Sequence, residues 1–242
     1  MNGGRQAKGN VTHHPDDSLP LLEVRDLTVG YTMNDELYRA CRNIDFEVRR
    51  GETLAIVGES GSGKSSVLVA LSKLLPEAGS VTGGSVTLQH EGDLLQLSTK
   101  RLRGLRGSKI GYVAQQPMAA FNPTMRIGRQ VAEPLMIHEG IGYRECLPRV
   151  KETLAEMGLR NVDWVVDAFP HQLSGGMLQR AMIALAVITN PQLLLADEPT
   201  SALDVTVQRQ ILDLLKRVQV QHGLAMIIVS HDLSVISRIA DR

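Results

Sequence analysis

The chain contains the stretch Gly58-Glu59-Ser60-Gly61-Ser62-Gly63-Lys64-Ser65, and this stretch decides its fold. The pattern G-x-x-x-x-G-K-S is typical of loops that bind phosphate. The apolar run at 53–57 predicts a short buried strand before the loop. Residues 65–75 have helical spacing and stop before Pro76. A strand, a glycine loop and a helix in this order indicate an anion site at the helix N-terminus.

The residues of the loop suit phosphate chemistry. Gly58, Gly61 and Gly63 allow tight wrapping, so that successive backbone N–H groups point inward. Lys64 supplies a cation for the β- and γ-phosphates of a nucleotide, and the Ser65 hydroxyl is suited to ligate Mg²⁺. The alternative is a turn that only connects a strand to a helix. The Lys-Ser pair favours the phosphate site, because turn geometry does not require those two residues.

Composition bounds the class of protein. The 242 residues are 43% hydrophobic and 3% aromatic, which suits one large α/β domain or a core with an insertion. Lys and Arg number 26, as do Asp and Glu, so the bulk positive charge of a nucleic-acid binder is absent, although a local patch stays open. Cys41 and Cys146 indicate reduced packing cysteines in a cytosolic protein. The sequence shows neither an apolar run of membrane-spanning length nor an N-terminal signal core.

Hydrophobic periodicity predicts alternating strands and helices after a disordered tail at 1–19. Two early antiparallel strands followed by the strand before the loop suggest a mixed sheet, with a turn at Gly83-Gly84. The later alternation implies a parallel sheet covered on both faces. Strands are predicted at 21–31, 44–48, 53–57, 85–89, 109–114, 192–196 and 225–229, and helices at 65–75, 127–138, 144–157 (ended by Gly158), 176–189, 205–221 and 233–240.

A second motif ends the predicted strand at 192–196. The acids Asp197 and Glu198 follow it directly, so both carboxylates lie at the sheet edge where the phosphate loop also lies. Asp197 is placed to hold Mg²⁺ through water, and Glu198 to act as general base on an attacking water. A capping pair at a strand-to-helix turn is the alternative. The phosphate loop in the same chain favours the catalytic interpretation.

A third motif, Leu173-Ser174-Gly175-Gly176, completes a resemblance that extends over about residues 21–242. The three motifs together resemble the nucleotide-binding subunit of an ABC transporter. The resemblance implies an α/β fold with a P-loop NTPase (RecA-like) core at about 20–117 and 179–242, an antiparallel β subdomain, and an α-helical subdomain inserted at about 118–178. In the family the third motif binds the γ-phosphate of ATP held by the opposite subunit. A head-to-tail dimer with two ATP molecules is therefore expected.

Other roles are implied by the resemblance alone. Tyr31 looks like the aromatic residue that stacks on adenine, unless it packs as a strand-end tyrosine. Gln115, with Gln116 as a rival, looks like the glutamine that senses Mg²⁺ and the attacking water. His231 looks like the histidine that contacts the γ-phosphate rather than a structural cap. Ser201-Ala202-Leu203-Asp204 looks like the D-loop, which in the family crosses the dimer interface. The expected nucleotide-binding residues are Tyr31, Gly58, Glu59, Ser60, Gly61, Ser62, Gly63, Lys64, Ser65, Ser66, Ser174, Gly175, Gly176 and Asp204 of the D-loop. The expected metal residues are Ser65, Gln115 and Asp197, and the expected catalytic residues are Glu198, His231 and Gln115.

Four local features are similar to the peptide and nickel importer branch: Met177 directly after the third motif with Gln179-Arg180 following, the loop sequence at 58–65, Phe121-Asn122-Pro123 and Pro170-His171-Gln172. They imply an ATPase that powers import of oligopeptides, nickel or a chelated metal from the cytoplasmic face of the inner membrane. The implied partners are a second ATPase subunit, identical or not, two transmembrane permease subunits and, indirectly, an extracytoplasmic solute-binding protein. No nucleic-acid partner is expected.

Two other functions stay open. One is the motor of an exporter, because the motifs do not fix the direction of transport. The other is a soluble ABC ATPase acting on nucleic acid or ribosomes, although such proteins usually carry two ATPase cores or long coiled coils. In the family, further strands and a C-terminal extension follow the position of Arg242, and we expect these to be missing here.

Overall fold

The structure is a computed structural model that describes residues 19–201 and 203–242. The predicted tail at 1–19 lies outside the described residues except for Leu19. The described strands are β1 (Leu22–Met33), β2 (Glu36–Val48), β3 (Thr53–Val57), β4 (Gly79–Leu88), β5 (Gly92–Asp93), β6 (Ile110–Val113), β7 (Leu193–Asp197) and β8 (Ala225–Ser230). The described helices are α1 (Lys64–Leu71), α2 (Thr99–Leu105), α3 (Pro117–Ala120), α4 (Ile127–His138), α5 (Tyr143–Glu156), α6 (Val162–Asp167), α7 (Gly175–Val187), α8 (Val205–His222) and α9 (Leu233–Ile239), with a 3₁₀ turn at Pro170–Gln172.

The first strands form an antiparallel sheet of their own, in the order β2-β1-β4-β5. Asn34 and Asp35 have φ values of 51° and 62°, which close the β1–β2 hairpin with left-handed backbone. The expected mixed sheet is therefore wrong, because the early strands pair with β4 and not with β3. The expected turn at Gly83-Gly84 is also wrong. The strand β4 runs through both glycines, and Gly84, at φ 93°, lies at a register shift against β1.

The second sheet is parallel, in the order β3-β8-β7-β6. Along β7 the side chains alternate between two cores. Leu194 and Ala196 pack in a core with the helices between β6 and β7, whereas Leu193 and Leu195 pack in a core with the antiparallel sheet. The parallel sheet is thus covered on both faces, as predicted. The central strands β7 and β8 are fully buried, and the parallel pairing brings the carboxyl ends of all four strands to one edge.

The long helices follow their predicted periodicity, and α4 has the predicted bounds. After α5, Gly158 adopts φ 77°, as expected of a residue that ends a helix. Arg180 of α7 donates hydrogen bonds to the Met157 carbonyl at 2.6 Å and to Oε1 of Gln210 in α8 at 3.0 Å. This side chain links the end of α5 to α8, the helix that follows the acidic pair. Within the described ranges, we find no helix with both the length and the apolar character needed to span a bilayer.

Candidate functional site

The phosphate loop lies between β3 and α1, under the antiparallel sheet. Gly63 begins α1 at φ 91°, and a β-carbon there would collide with the Ala40 carbonyl of β2, so only glycine fits. Lys64 is 7% exposed. Its Nζ donates to the carbonyl oxygens of Gly58 at 2.8 Å and Glu59 at 2.6 Å. The ammonium group is therefore held inside the loop by backbone oxygens.

The loop and the acidic pair meet through Ser65. Its Oγ donates to Oδ1 of Asp197 at 2.8 Å, and the Tyr112 hydroxyl donates to Oδ2 of Asp197 at 3.4 Å. Asp197 is 6% exposed at the end of β7. Burial raises the pKa of Asp197 above its ordinary value, against the lowering effect of those two hydrogen bonds. A cation bound beside Asp197 would therefore stabilise the charged form of this buried carboxylate.

Glu198 lies one residue on, with a backbone φ of 43°, a conformation that is uncommon outside glycine. Its Oε2 accepts from Gln115 Nε2 at 3.1 Å, and its Oε1 lies 3.1 Å from His231 Nδ1. The Glu198 side chain is 13% exposed, and that of His231 is 58% exposed. Residues from the ends of three parallel strands therefore converge on one carboxylate at the open edge of the sheet.

A cavity of about 340 Å³ opens beside the loop. Tyr31 forms part of its wall, with its hydroxyl 3.0 Å from the Ser66 Oγ. The lining joins the phosphate loop, the predicted adenine-stacking residue and two of the three predicted catalytic residues, Gln115 and Glu198, in one space. The lining residues are Tyr31, Ala40, Ser60, Gly61, Gly63, Lys64, Ser65, Ser66, Gln115 and Glu198.

The third motif and the D-loop residue lie apart from this cavity. Ser174 caps α7 by accepting from the Met177 N–H at 3.4 Å, and Asp204 caps α8 by accepting from the Val207 N–H at 3.0 Å. A β-carbon on Gly176 would lie 2.9 Å from Val207 Cγ1. The two caps are thus neighbours of each other, and neither lines the cavity at the phosphate loop. Ala202, between them in sequence, lies outside the described residues.

Three contacts of the site were missed by reasoning from the sequence: those of Tyr112, Ala40 and Ser201. The Ser201 Oγ donates to the Gln115 carbonyl at 3.3 Å and so ties the loop after β6 to the loop after β7. Ala40 carries no chemical signal in the sequence, and Ser201 was expected only as the first residue of the D-loop, with no contact to Gln115. Tyr112 is a polar aromatic in a short apolar strand, which was the one available sign. Gln116 precedes α3 and is not among the lining residues, so the structure places Gln115, and not its rival, at Glu198.

Comparison with known proteins places this geometry in a family. A family model described as ABC transporter matches residues 41–201. The oligopeptide transport ATP-binding protein OppD of Bacillus subtilis (strain 168) is 44% identical over 223 residues, which cover 92% of this chain and 62% of that protein. The OppD of Lactococcus lactis subsp. cremoris (strain SK11) is 41% identical over 225 residues, covering 93% and 66%. The chain therefore spans less than two thirds of the length of these two relatives.

Solved structures agree with the fold. The ATP-binding cassette MJ0796, solved as a dimer in a post-hydrolysis state with ADP and Pi, matches with a TM-score of 0.79 at 32% identity over 90% of both chains. The protein cbiO1 from Clostridium perfringens, part of the transporter complex cbiONQ, matches with a TM-score of 0.74 at 27% identity, over 92% of this chain and 82% of that chain. The shared α/β architecture is that of a P-loop cassette. With a family model that covers most of its length and relatives above 40% identity, the chain belongs to the ABC transporter family.

Proposed function

We propose that this chain is the ATP-binding and ATP-hydrolysing subunit of an ABC importer of peptides. One observation carries the enzymatic part of the proposal. The Glu198 carboxylate is held 3.1 Å from both Gln115 and His231, beside a phosphate loop on the same sheet edge. A carboxylate held by two flanking polar groups next to a phosphate site is suited to align and deprotonate a water.

ATP binding is assigned to the loop and to Tyr31. The N–H groups at the start of α1 favour the phosphates, since they lack partners within the helix. The hydrogen bonds from Lys64 to the carbonyls of Gly58 and Glu59 hold the ammonium group inside the loop. When ATP binds, Lys64 would donate to phosphate oxygens instead. The Tyr31 ring at the cavity wall offers a face for adenine.

The donor set fits Mg²⁺. The Ser65 hydroxyl and the buried Asp197 carboxylate are hard oxygen donors 2.8 Å apart, and the Gln115 amide oxygen is of the same kind. Burial, together with the nearby Glu198 charge, raises the pKa of Asp197, and a bound cation would stabilise the charged carboxylate. We therefore assign Mg²⁺ to Ser65 and Asp197, with Gln115 nearby. When bound, the ion would neutralise phosphate charge and orient the terminal phosphoryl group.

Hydrolysis is assigned to Glu198. Its carboxylate would accept the proton of the attacking water, while Gln115 and His231 keep both carboxylate oxygens in place. The left-handed backbone at Glu198 supports this assignment, because such conformations persist where the surrounding structure constrains them. Proton transfer by a positioned group is worth about 10²- to 10⁴-fold in rate.

A second subunit is part of the proposal. Ser174 to Gly176 and Asp204 lie away from this chain's own cavity, at two helix N-termini that favour an anion. In a head-to-tail dimer these residues would meet the nucleotide held by the partner. The solved cassette MJ0796 is described as dimeric, which supports the arrangement. The partner is a second copy of this chain or a related ATPase.

The transported solute is inferred from relatives. The OppD proteins are named for oligopeptide transport, and a relative from Agrobacterium fabrum, 44% identical over 92% of this chain, is named for peptidoglycan transport. These names support peptides over nickel as the solute. We further propose that the chain works at the membrane surface with two permease subunits, and that its helical insertion, about 118–178, contacts them.

The test of the enzymatic assignment is Glu198→Gln, which keeps shape and hydrogen bonding but removes the base. We expect ATP affinity within about twofold of wild type and a turnover about 10²- to 10⁴-fold lower. Turnover is measured at concentrations that allow ATP-dependent dimerisation, and affinity by calorimetry. Glu156→Gln, an exposed glutamate of α5, is the matched control. Normal turnover in Glu198→Gln would refute the role.

Transport class is tested by co-purification from native membranes. A complex with two multi-span subunits and a soluble peptide-binding protein supports import. A complex with multi-span subunits alone favours the exporter, and recovery with ribosomes or nucleic acid favours the soluble ATPase.

A further inference from the structure

We infer that Gly79 and Ser66 are positioning residues that hold the Tyr31 ring as a platform for the nucleobase. The inference rests on the proposed function, in which Tyr31 stacks on adenine. It goes beyond that function by assigning base affinity to a glycine outside every nucleotide motif of the sequence and to a hydroxyl contact on the far side of the ring. Both act through Tyr31 rather than on the reacting phosphate.

The first contact is between Tyr31 and Gly79. These residues are direct partners in the β1–β4 pairing, and Tyr38 is the partner of Tyr31 on the β2 side. The ring leans toward Gly79: a β-carbon at that position would lie 3.0 Å from Tyr31 Cε1. It would also lie 3.2 Å from Leu75 Cβ and 3.3 Å from the Pro76 carbonyl. The ring edge therefore occupies space that any side chain at position 79 would need.

The strand cannot easily move away to make that space. The Gly79 N–H donates to the Pro76 carbonyl at 2.8 Å, and the Thr32 N–H donates to the Ala78 carbonyl at 2.8 Å. These bonds fix the connection between α1 and β4 against β1, one residue from Tyr31. A methyl group at position 79 would consequently displace the aromatic ring before the backbone.

The second contact fixes the tip of the ring. The Tyr31 hydroxyl lies 3.0 Å from the Ser66 Oγ in the first turn of α1, one residue beyond Ser65. The ring is thus held at its edge by the sheet and at its tip by the phosphate helix. This arrangement fixes the distance between the platform and the phosphate loop, which a nucleotide must span with its base and phosphates. A ring already oriented loses less entropy on stacking than a free one.

The consequence is a change in affinity that depends on the base. Gly79→Ala should weaken ATP binding about three- to fivefold and Gly79→Val about tenfold, because stacking on a displaced ring recovers only part of the gain from base–aromatic contact. Tyr31→Phe should weaken ATP binding about two- to threefold, since it keeps the ring and removes the hydroxyl contact with Ser66. Binding of inorganic tripolyphosphate should stay within about twofold of wild type in all three variants, because that ligand has no base to stack.

The strand supplies its own matched control. Gly83 lies in β4 as well, and a β-carbon there would meet only Thr28 Cβ, at 4.0 Å. Gly83→Ala should therefore leave both affinities unchanged. Tyr38→Phe is the corresponding control for Tyr31→Phe. Affinities for ATP and for tripolyphosphate, each with Mg²⁺, are measured by competition against a fluorescent ATP analogue, and thermal melts confirm that each variant is folded.

Each outcome decides the question. Loss of ATP affinity with retained tripolyphosphate affinity in Gly79→Ala, absent in Gly83→Ala, supports the inference. Equal losses of affinity for both ligands overturn the inference, because the substitution then acts through the helix or the fold and not through the base. The absence of any loss of ATP affinity overturns it as well. If Gly79→Ala does not fold, Tyr31→Phe decides by the same ratio. A wild-type chain that binds tripolyphosphate as tightly as ATP overturns the inference and the assignment of Tyr31 to adenine, but not the assignment of the phosphate loop. A wild-type chain that binds neither ligand overturns the proposed function as well.

Discussion

Two regions of the molecule carry the motifs to which we assign phosphate binding, and their side chains are held in different ways. The first region is the sheet edge beside the phosphate loop, which we call the loop edge. Side chains far apart in sequence form hydrogen bonds there: Ser65 with Asp197 across 132 positions and Gln115 with Glu198 across 83. In the third motif and the D-loop, Ser174 and Asp204 bond to N–H groups three residues away. The first region is assembled by this chain. The second consists of two capped helix N-termini, and the proposed function completes it with a nucleotide held by a second subunit.

The largest effect should come from removing the loop cation. Lys64→Ala removes a charge-assisted contact to phosphate and should lower ATP affinity about 10- to 100-fold. Calorimetry with Mg²⁺ and ATP measures the change. Lys100→Ala, an exposed lysine in α2 away from the cavity, is the control. Unchanged ATP affinity in Lys64→Ala would mean that the loop edge is not the nucleotide site.

A smaller effect should come from the second region. In a Glu198→Gln background, Ser174→Ala should bind ATP normally but dimerise on it about tenfold more weakly, as expected when one hydrogen bond to a charged group is lost. Sedimentation with and without ATP measures the dimer. Loss of the cap alone costs about 1 kcal/mol of stability, so Ser98→Ala controls for it. Ser98 caps α2 in the same manner, by accepting from the Arg101 N–H at 3.3 Å.

If Ser174→Ala leaves the ATP-dependent dimer intact, the third motif does not act across a subunit interface. Equal losses in Ser174→Ala and Ser98→Ala would lead to the same conclusion. The contrast between the two regions would then be one of helix capping and not of assembly.

The smallest effect should be on the stability of the nucleotide-free protein, which holds the Asp197 carboxylate buried. Asp197→Asn should raise the unfolding free energy of the nucleotide-free protein at neutral pH, because burial raises the pKa of Asp197 and the amide no longer needs to carry a buried charge. A raised folded-state pKa means that Asp197 favours the fold when protonated and that this contribution is lost as the pH rises. The two proteins should therefore converge in stability as the pH falls below the ordinary value of 3.8.

Thermal or urea unfolding at several pH values measures that difference, and Asp213→Asn on the exposed face of α8 is the control. Addition of Mg²⁺ and ATP should stabilise wild type more than Asp197→Asn, because the variant keeps the phosphate loop but loses a proposed Mg²⁺ ligand. A variant less stable than wild type at neutral pH would contradict the account of the loop edge as a region that holds an uncompensated charge.

The loop edge could largely be predicted from the sequence, because each of its motifs is marked by the residues next to it in the chain. The glycine loop, the acid pair and His231 each follow an apolar strand, so the carboxyl ends of a parallel sheet bring them together without further information. The structure places Gln115 at Glu198, as expected, but the contact of Tyr112 with Asp197 depends on how β6 and β7 pair. That pairing joins residues more than 80 positions apart and leaves no local signal.

The antiparallel sheet was predicted less well. In this sheet β1 pairs with β4, which lies far from it in sequence, and its pairings with both β2 and β4 contain register shifts. Gly83-Gly84 has the composition of a turn, yet tertiary pairing draws β4 straight through it. The short helices α2, α3 and α6, of seven, four and six residues, offer too few turns for periodicity to show. The trans role of Ser174 remains a prediction, since a monomer cannot display it.

The alternation along the central strands has a consequence for recombining such proteins. One face of β7 belongs to the core that contains the helical insertion, and the other belongs to the core of the antiparallel sheet. A chimera that borrows the insertion of a relative must therefore borrow every second residue of these strands, Leu194 and Ala196 among them, and leave Leu193 and Leu195 as they are. Crossover points placed at strand ends would separate side chains that belong to one core. The transferred residues must therefore alternate along each strand with residues of the original chain.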